Sequence, residues 1–283
     1  MTTTPRSRAR SFDSAAALYG QHRPGYPEVL YDAVEELAGR RFAGARVADV
    51  GAGTGIGTAP MRARGAEVVA VEPGDGMAAE FRRTRPGIPI VRGDGDRLPL
   101  AGAAFDFLTY AQAWHWTDPA RSVPEARRVL KPGGALAIWW NDLDESADWV
   151  AGQAERIRAF FGAGGPGGAV AGGSGAVGGS AQALGYRTLP RGLGSGLDSG
   201  FATRSVPWSR RIPLEAHLAN LASHSAFLLL GEAGTREFLD AERERLDPLF
   251  PDGTVEEPYV VTLSVAVIRD GAVAALADGA PGT

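Results

Sequence analysis

A short apolar segment that runs into a turn with alternating glycines constrains the fold of this chain more than any other feature. The segment reads VADVGAGTGIG and spans residues 47–57. Glycine at 51, 53 and 55 removes the Cβ atoms that would keep a ligand away from the backbone. Backbone amides near the start of a following helix can point at a bound polar group. The segment therefore predicts a strand, a ligand-binding turn and a helix, in this order.

Apolar segments and helix-compatible segments alternate after this turn. Further strands are predicted at residues 67–72, 88–91, 104–110 and 135–140, with helices near residues 55–64, 76–83 and 118–130. The last of these helices is expected to end at the helix-breaking segment Lys131-Pro132-Gly133-Gly134. This alternation predicts an α/β fold with a mostly parallel, doubly wound sheet. In such a sheet the carboxyl ends of the strands meet at one edge, where ligands bind.

The rest of the chain is predicted to complete a single domain, residues 12–270, around a core at residues 44–142. Helices are expected within residues 12–40, the second of them near Pro27–Gly39, and at residues 148–161, 214–222 and 232–247, and strands at residues 201–212 and 259–270. Residues 162–200 are predicted to be a flexible insert because residues 162–179 contain ten glycines and little apolar surface. Residues 1–11 and 271–283 are expected to be tails.

The composition of the chain argues against several kinds of binding partner and site. A formal net charge of −4 argues against a nucleic-acid partner or an anionic membrane surface. The chain has no cysteine, which excludes disulfides and thiolate nucleophiles and fits a cytoplasmic protein. No apolar run is long enough for a transmembrane helix, and no carboxylate–histidine cluster has the spacing of a metal site. We expect a monomer or homodimer without a metal.

The glycine spacing bears on the class of nucleotide ligand. A dinucleotide fingerprint needs glycine at the first, third and sixth positions of the turn. Counted from Gly51 the sixth residue is Ile56, and counted from Gly53 it is Thr58. The sequence is instead Asp-x-Gly-x-Gly-x-Gly, starting at Asp49. An NAD-dependent oxidoreductase is therefore disfavoured but remains an alternative, as does a turn that only connects a strand to a helix.

Two acidic residues follow predicted strands at places where a nucleoside can be bound. Glu72 ends the second strand, 21 residues after Gly51, where a carboxylate can accept hydrogen bonds from ribose hydroxyls. Asp94 follows the third strand, where a carboxylate can bind the exocyclic amine of adenine, and Gly95 can offer its amide to the ring. The alternatives are a solvated charge at the end of a strand for Glu72 and a turn-forming aspartate for Asp94.

Taken together, these motifs resemble a class I S-adenosylmethionine-dependent methyltransferase. The segments that carry the resemblance are DVGAGTG, the acid in VAVEP, GDGDRLPL, FDFLTYAQAWHW and RVLKPGGALAIWW, in this order and spacing. They are similar in particular to the methyltransferase type 11 group. The opening FDSAAALYGQHRPGYP and the AQAWHW segment resemble small-molecule enzymes related to trans-aconitate methyltransferases. The match covers residues 12–142 strongly, residues 201–270 only by the order of elements, and residues 162–200 not at all.

The resemblance implies a Rossmann-like, seven-stranded sheet with an antiparallel last strand, an N-terminal helical cap and S-adenosylmethionine as cofactor. The cofactor-binding residues that it implies are Asp49, Gly51, Gly53, Thr54 and Gly55 at the methionine portion, Glu72 at the ribose, Met77, Asp94 and Gly95 at the adenine, and Ala111 and Gln112 near the sulfonium. The spatial expectation is that the amides around Thr54 and the carboxylate of Glu72 face one crevice.

Candidates for the acceptor side come from two segments. Trp114 and Trp116 can wall a pocket after the fourth strand, and His115 can act as a general base; the alternative is aromatic packing around a structural histidine. The N-terminal segment supplies the cap residues Tyr19, His22, Arg23 and Tyr26. Of these, Arg23 can bind a carboxylate of the substrate or of the cofactor, or remain solvated. Three residues of the second half are expected to be structural, namely His217, His224 and Tyr259.

The expected activity is methyl transfer to a small molecule, with an oxygen of a carboxylate or hydroxyl as the preferred acceptor. Such an acceptor would belong to a metabolite or natural product of secondary metabolism. A sulfonium methyl is already activated, so alignment of the reactants can supply much of the rate acceleration. A carboxylate acceptor needs no base, whereas a hydroxyl does. The alternatives are a non-catalytic S-adenosylmethionine-binding partner protein, an enzyme that uses this cofactor without transferring its methyl, and an NAD-dependent oxidoreductase.

Overall fold

Seven strands form one mixed sheet in the computed structural model, which describes residues 20, 22–162 and 200–268. The strands are β1 (Arg46–Val50), β2 (Glu67–Glu72), β3 (Ile90–Arg92), β4 (Phe105–Ala111), β5 (Leu130–Leu143), β6 (Ala202–Pro213) and β7 (Thr254–Val267). Their order across the sheet is β3-β2-β1-β4-β5-β7-β6. Strands β1 to β5 are parallel, and β7 lies antiparallel between β5 and β6. The predicted α/β sheet with seven strands and an antiparallel last strand is confirmed.

The direction in which strands are added changes between β1 and β4. From β1 the chain adds β2 and β3 on one side of the sheet, and it then returns to add β4 and β5 on the other side. The connection after β1 and the connection after β4 run to opposite sides, so a crevice lies between the carboxyl ends of these two strands. Open α/β sheets bind ligands at such a crevice. The glycine turn that follows β1 lies at this switch point.

Eight α-helices are described, and most lie within a few residues of a predicted helix. They are α1 (Glu28–Ala38), α2 (Thr58–Ala63), α3 (Asp75–Thr84), α4 (Pro119–Val129), α5 (Asp148–Phe161), α6 (Leu214–Ala222), α7 (Ser225–Leu230) and α8 (Glu232–Leu246). Helix α1 ends at Gly39, whose φ of 61° suits a residue without a side chain. No prediction covered α7, because its sequence SAFLLL has no polar face from which a helical period can be read.

The segment after α4 corrects one expectation. The sequence predicts that Lys131-Pro132-Gly133-Gly134 ends the helix and that a strand begins only at residue 135. The helix does end at Val129, but β5 begins at once, at Leu130, and includes these four residues. Leu130 pairs with Phe105, and the register shifts before Phe107 pairs with Ala135. A β-bulge thus accommodates residues that normally interrupt regular structure.

The two faces of the sheet bury separate cores. Successive residues of a strand point to opposite faces, so β4 and β5 contribute to both. Phe107 and Trp139 pack on the side of α1, together with Tyr31 and Phe42. The other face buries Tyr110 and Trp140, together with residues of α4 and the short 3₁₀ turn that follow β4.

Helices α5 to α8 form a third, smaller core beside the sheet. Phe227 is 1% exposed and contacts Phe161 and Phe238, with ring centroids 5.0 and 5.1 Å apart. Val255 at the start of β7 is fully buried in the same cluster. This core attaches the C-terminal helices to the last two strands.

Several predictions fall outside the described residues. They are the tails at residues 1–11 and 271–283, the first predicted helix with Tyr19, and residues 163–199 of the predicted insert. Within the ranges that are described, no helix has both the length and the apolar character needed to cross a membrane.

Candidate functional site

The three glycines of the turn after β1 have different roles. All three have left-handed backbone conformations, with φ of 68° at Gly51, 56° at Gly53 and 86° at Gly55. A Cβ at Gly51 would lie 2.4 Å from the Cβ of Ala113, and one at Gly55 would lie 2.9 Å from the ring of Phe81. A Cβ at Gly53 would meet no atom within 4 Å. Gly53 therefore has open space beside it, while glycine at 51 and 55 is also required for internal packing against Ala113 and Phe81.

Glu72 is fixed against this turn by two backbone amides. Its Oε2 accepts a hydrogen bond from the amide of Gly53 at 2.9 Å, and its Oε1 accepts one from the amide of Gly74 at 2.7 Å. The side chain is 5% exposed. A carboxylate has about four acceptor positions, so hydrogen bonds from backbone amides do not exclude bonds from hydroxyl groups. The carboxylate of Glu72 and the open glycine therefore lie at the same edge of the sheet.

A cavity lies over this edge, between the glycine turn, the ends of β4 and β5, and the segment before α1. The residues that line it are Arg23, Pro24, Tyr26, Gly51, Ala52, Gly53, Thr54, Ile56, Gly57, Ala111, Gln112 and Asn141. The buried hydroxyl of Thr54 makes no hydrogen bond within the described part of the chain. Because buried polar groups normally have partners, this hydroxyl fits a polar ligand in the cavity. Among the described residues, no acidic side chain lines the cavity, so Glu72 lies behind Gly53 and outside the lining, while Arg23 brings a positive charge.

Gln112 has an unusual backbone conformation at the end of β4. Its φ is 60°, in the left-handed region that residues other than glycine rarely adopt. Its amide donates to the carbonyl of Trp139 at 2.9 Å, and its Nε2 donates to the carbonyl of Asn141 at 3.0 Å. Strained residues of this kind occur preferentially at ligand sites. The predicted pair Ala111 and Gln112 thus lies beside the cavity, tied to the end of β5.

Asp49 faces the protein interior and does not line the cavity. It is 1% exposed, and its two carboxylate oxygens accept hydrogen bonds from the hydroxyls of Thr58 at 2.6 Å and Thr109 at 2.8 Å. Burial raises its pKa to about 6, although the two hydroxyl bonds act in the opposite direction. Asp49 therefore joins β1 to α2 and β4, and any effect on the methionine portion of a cofactor passes through the turn that it holds.

The residues predicted at the adenine lie on the β2–β3 side of the turn. Asp94 Oδ1 accepts hydrogen bonds from the amides of Asp96 and Arg97, both at 3.1 Å, as in a turn-forming aspartate. A Cβ at Gly95 would lie 2.7 Å from Thr117, so this glycine is also needed for packing. Met77 is 5% exposed on α3. None of the three lines the cavity described above.

The aromatic segment after β4 does not form the wall that the sequence predicts. Trp114 is 1% exposed and packs edge-on against Tyr110, at a centroid distance of 4.7 Å, on the sheet face opposite to α1. Trp116 is half-buried and contacts the ring of His115 at 4.5 Å. Burial lowers the pKa of His115 to about 4, so its ring is neutral at pH 7 and a weak base. The prediction that the two tryptophans line the pocket is corrected, because Trp114 packs into the core and Trp116 is not among the residues that line the cavity.

Of the predicted cap residues, only some lie at the cavity. Arg23 and Tyr26 line the cavity, and Tyr26 packs edge-on against Trp139 at 5.9 Å. His22 contributes its carbonyl, which accepts a hydrogen bond from Arg210 at 3.3 Å. Tyr19 lies outside the described residues. Sequence reasoning missed Asn141, although a polar residue directly after the buried strand IWW is a signal that could have identified it.

A buried polar network lies between the sheet and the C-terminal helices. Nδ1 of His217 is 2.6 Å from Oε1 of Glu257, whose Oε2 accepts hydrogen bonds from Arg210 at 2.5 Å and from the Tyr259 hydroxyl at 2.8 Å. Burial opposes ionisation of Glu257, but the contacts with His217 and Arg210 outweigh it and lower its pKa. The pKa of His224 is also low, through burial and then the charge of Arg23. His217 and Tyr259 therefore have structural partners.

Metal-binding geometry is absent from the described ranges, in which no three His, Asp or Glu side chains are grouped closely enough to hold an ion.

Residues 48–138 match a family model described as a methyltransferase domain. An uncharacterized methyltransferase of Mycobacterium tuberculosis is 42% identical over 150 residues, which are 53% of this chain and 60% of that protein. A malonyl-[acyl-carrier protein] O-methyltransferase of Enterobacter lignolyticus is 37% identical over 131 residues, 46% of this chain and 51% of that protein. The chain thus spans less than two thirds of the length of these relatives.

The fold is shared with solved structures. One of them, a type II methyltransferase candidate from Anaeromyxobacter dehalogenans, superposes with a TM-score of 0.61 and 23% identity, over 87% of this chain and 98% of that chain. The resemblance to a methyltransferase domain is confirmed over residues 48–138, which include the glycine turn, Glu72 and the end of β4.

The buried carboxyl group of Asp49 predicts a specific pH dependence. Its pKa rises from 3.8 to about 6 on folding, so protonation of Asp49 favours the folded state. The resulting stabilisation is fully present below pH 4 and is lost as the pH rises through 6. Asp49→Asn removes this titration while keeping the shape of the side chain. Between pH 4 and pH 7.5, wild type should lose about 2–3 kcal/mol of its free energy of unfolding through Asp49, and the variant should not. The difference, variant minus wild type, should therefore increase by this amount. Urea unfolding at both pH values measures this difference, and an equal difference at both would contradict it.

Proposed function

We propose that this protein, whose residues 48–138 match a methyltransferase domain, transfers a methyl group from S-adenosylmethionine to an oxygen of a small-molecule acceptor. The observation that carries the proposal is the placement of Gly53, which lines the cavity and has open space beside its Cα, directly against the buried carboxylate of Glu72. Gly53 leaves room for the amino-acid portion of S-adenosylmethionine over the turn, and the carboxylate of Glu72 can accept hydrogen bonds from its ribose.

The residues around the cavity fit this cofactor. The turn from Gly51 to Gly55 would hold the methionine portion, with Thr54 supplying a buried hydroxyl, and Glu72 would accept hydrogen bonds from the ribose. Asp94, Gly95 and Met77 would surround the adenine, and Ala111 and Gln112 would lie near the sulfonium. When bound, the cofactor supplies an activated methyl group; the protein contributes alignment and exclusion of water.

The acceptor is proposed to be a carboxylate rather than a hydroxyl. Methylation of a hydroxyl needs a base, and the candidate base His115 is both outside the cavity lining and weakly basic, with its pKa lowered to about 4. A carboxylate attacks without losing a proton: its oxygen forms the bond to the methyl carbon while the carbon–sulfur bond breaks. Arg23 on the cavity wall can attract such an acceptor. The similarity to an enzyme named an O-methyltransferase supports the same acceptor atom.

The wider setting is part of the same proposal. A net charge of −4 and a chain without cysteine support a cytoplasmic enzyme that acts on a metabolite or natural product and not on nucleic acid. We further propose that the enzyme acts in secondary metabolism. It is proposed to be a monomer or a homodimer.

Substitution of Gly53 tests the cofactor site. Gly53→Ala places a methyl group in the cavity, so we expect the affinity for S-adenosylhomocysteine to fall by at least about tenfold, or ~1.4 kcal/mol. The matched control is Gly39→Ala, at the end of α1, where φ is 61° and an added Cβ also meets nothing within 4 Å. Both variants should lose a similar stability of roughly 1–2 kcal/mol, because both place alanine in a left-handed conformation.

Titration calorimetry with S-adenosylhomocysteine and with NAD, on wild type and both variants, measures this effect. Wild-type protein should bind S-adenosylhomocysteine and not NAD. Equal affinities of the two alanine variants would show that the cavity above Gly53 is not the cofactor site. Binding of NAD alone would instead support an oxidoreductase.

Transfer of a labelled methyl group tests the activity itself. The protein is incubated with S-adenosylmethionine carrying a tritiated methyl group, below saturation, and a small-molecule extract of cells, with Gly53→Ala as the impaired control and heat-denatured protein as the inactive one. A methyl ester is hydrolysed in alkali, so the label transferred by wild type should be released as volatile methanol. Label that resists alkali would contradict a carboxylate acceptor. Absence of any transfer, with cofactor binding intact, would identify a non-catalytic binding protein or a different use of the cofactor.

A further inference from the structure

Asn141 lines the cavity and bonds to three other segments of the chain. It lies near the carboxyl end of β5 and is 6% exposed. Its Oδ1 accepts a hydrogen bond from Nε1 of Trp208 at 2.9 Å, and its Nδ2 donates to the carbonyl of Gly25 at 3.5 Å. The backbone carbonyl of Asn141 accepts a hydrogen bond from Nε2 of Gln112 at 3.0 Å. The residue thus joins β5 to β6, to the end of β4 and to the segment before α1.

The two hydrogen bonds of its side chain determine which way the amide points. An indole N–H is only a donor, and a backbone carbonyl is only an acceptor. If the amide were turned by 180°, its NH₂ group would face the N–H of Trp208 and its oxygen would face the carbonyl of Gly25. Both hydrogen bonds would be lost and like partial charges would meet. The orientation with Oδ1 toward Trp208 is therefore the one that the surroundings stabilise.

Trp208 is itself held in place. Its ring stacks on the ring of Tyr259, with centroids 5.0 Å apart and an angle of 20° between the planes. The hydroxyl of Tyr259 donates to Glu257, which is fully buried and also contacts Arg210 and His217. This chain of contacts prevents the indole from turning away, so the orientation of the Asn141 amide is fixed before any ligand binds.

The fixed amide leaves a hydrogen-bond donor at the cavity. Nδ2 carries two N–H groups, and within the described part of the chain it makes one bond, the long one to Gly25. Arg23 lies on the same cavity wall, and none of the lining residues that the structure describes is acidic. A ligand group that meets both residues therefore needs oxygen acceptors, and it gains most if it is anionic.

We propose that Asn141 is a specificity-determining residue that donates a hydrogen bond from Nδ2 to an oxygen of the methyl acceptor, and that Trp208 positions it for this role. The proposal rests on the proposed function, because it assigns to Asn141 the acceptor and not the cofactor. The class of acceptor that this chemistry selects is a small molecule with a carboxylate, or with a carbonyl oxygen in the same place. A molecule that presents only donors, such as an amine, is rejected.

The test uses the full-length protein saturated with S-adenosylhomocysteine and three simple probes, acetate, hexanoate and benzoate, in titration calorimetry. Hexylamine and benzylamine are the matched cationic probes. We expect at least one carboxylate to bind wild-type protein and neither amine to bind. Asn141→Asp replaces the donor with a second acceptor and should weaken carboxylate binding at least tenfold, while the affinity for S-adenosylhomocysteine stays within twofold.

Trp208→Phe separates positioning from simple packing. Phenylalanine keeps an aromatic ring against Tyr259 but lacks the indole N–H, so the amide of Asn141 is free to turn. We expect a threefold to tenfold loss of carboxylate affinity with unchanged affinity for S-adenosylhomocysteine.

Three results would overturn the proposal. They are no binding of any carboxylate to the loaded wild-type protein, equal carboxylate affinity in wild type and Asn141→Asp, and a parallel loss of S-adenosylhomocysteine affinity in Asn141→Asp, which would place the residue in the cofactor site. Failure of wild type to bind S-adenosylhomocysteine would instead count against the proposed function.

Discussion

The hydrogen bond from the amide of Gly53 to the carboxylate of Glu72 is the interaction on which the rest of the site depends. It joins the turn after β1 to the end of β2, and the amide of Gly74 completes the arrangement from the far side. A carboxylate that is 5% exposed is costly unless it is hydrogen-bonded, and here two amides satisfy it. The edge of the sheet therefore has its shape before a cofactor arrives, which reduces the ordering that binding would require.

The fold could be read from the sequence because its strands are buried on both faces and are separated by regular breaks. The glycine turn, Glu72 and the segment at residues 111–112 were predicted at one edge, and the parallel order of β1, β2 and β4 brings them there. Spacing along the chain carries this information, since each strand ends at the same side of a parallel sheet. A family resemblance added the antiparallel position of β7.

Other parts could not be predicted because they depend on which face of the sheet a residue occupies and on contacts between distant segments. Trp114 follows the same strand as the cavity residue Ala111, yet it packs on the opposite face against Tyr110. The pairing of Asn141 with Trp208 spans 67 residues and exists only because β6 and β7 fold back beside β5. The sequence likewise does not show that Gly51 serves packing and Gly53 serves access, since both are glycines in one turn.

The most direct measurement is a crystal structure of the protein with S-adenosylhomocysteine bound. The account predicts that ribose hydroxyls lie at hydrogen-bond distance, about 2.6–3.2 Å, from the carboxylate of Glu72, and that the amino-acid portion of the ligand lies over Gly53. A ligand bound elsewhere on the chain, or bound in the cavity with its ribose turned away from Glu72, would contradict it.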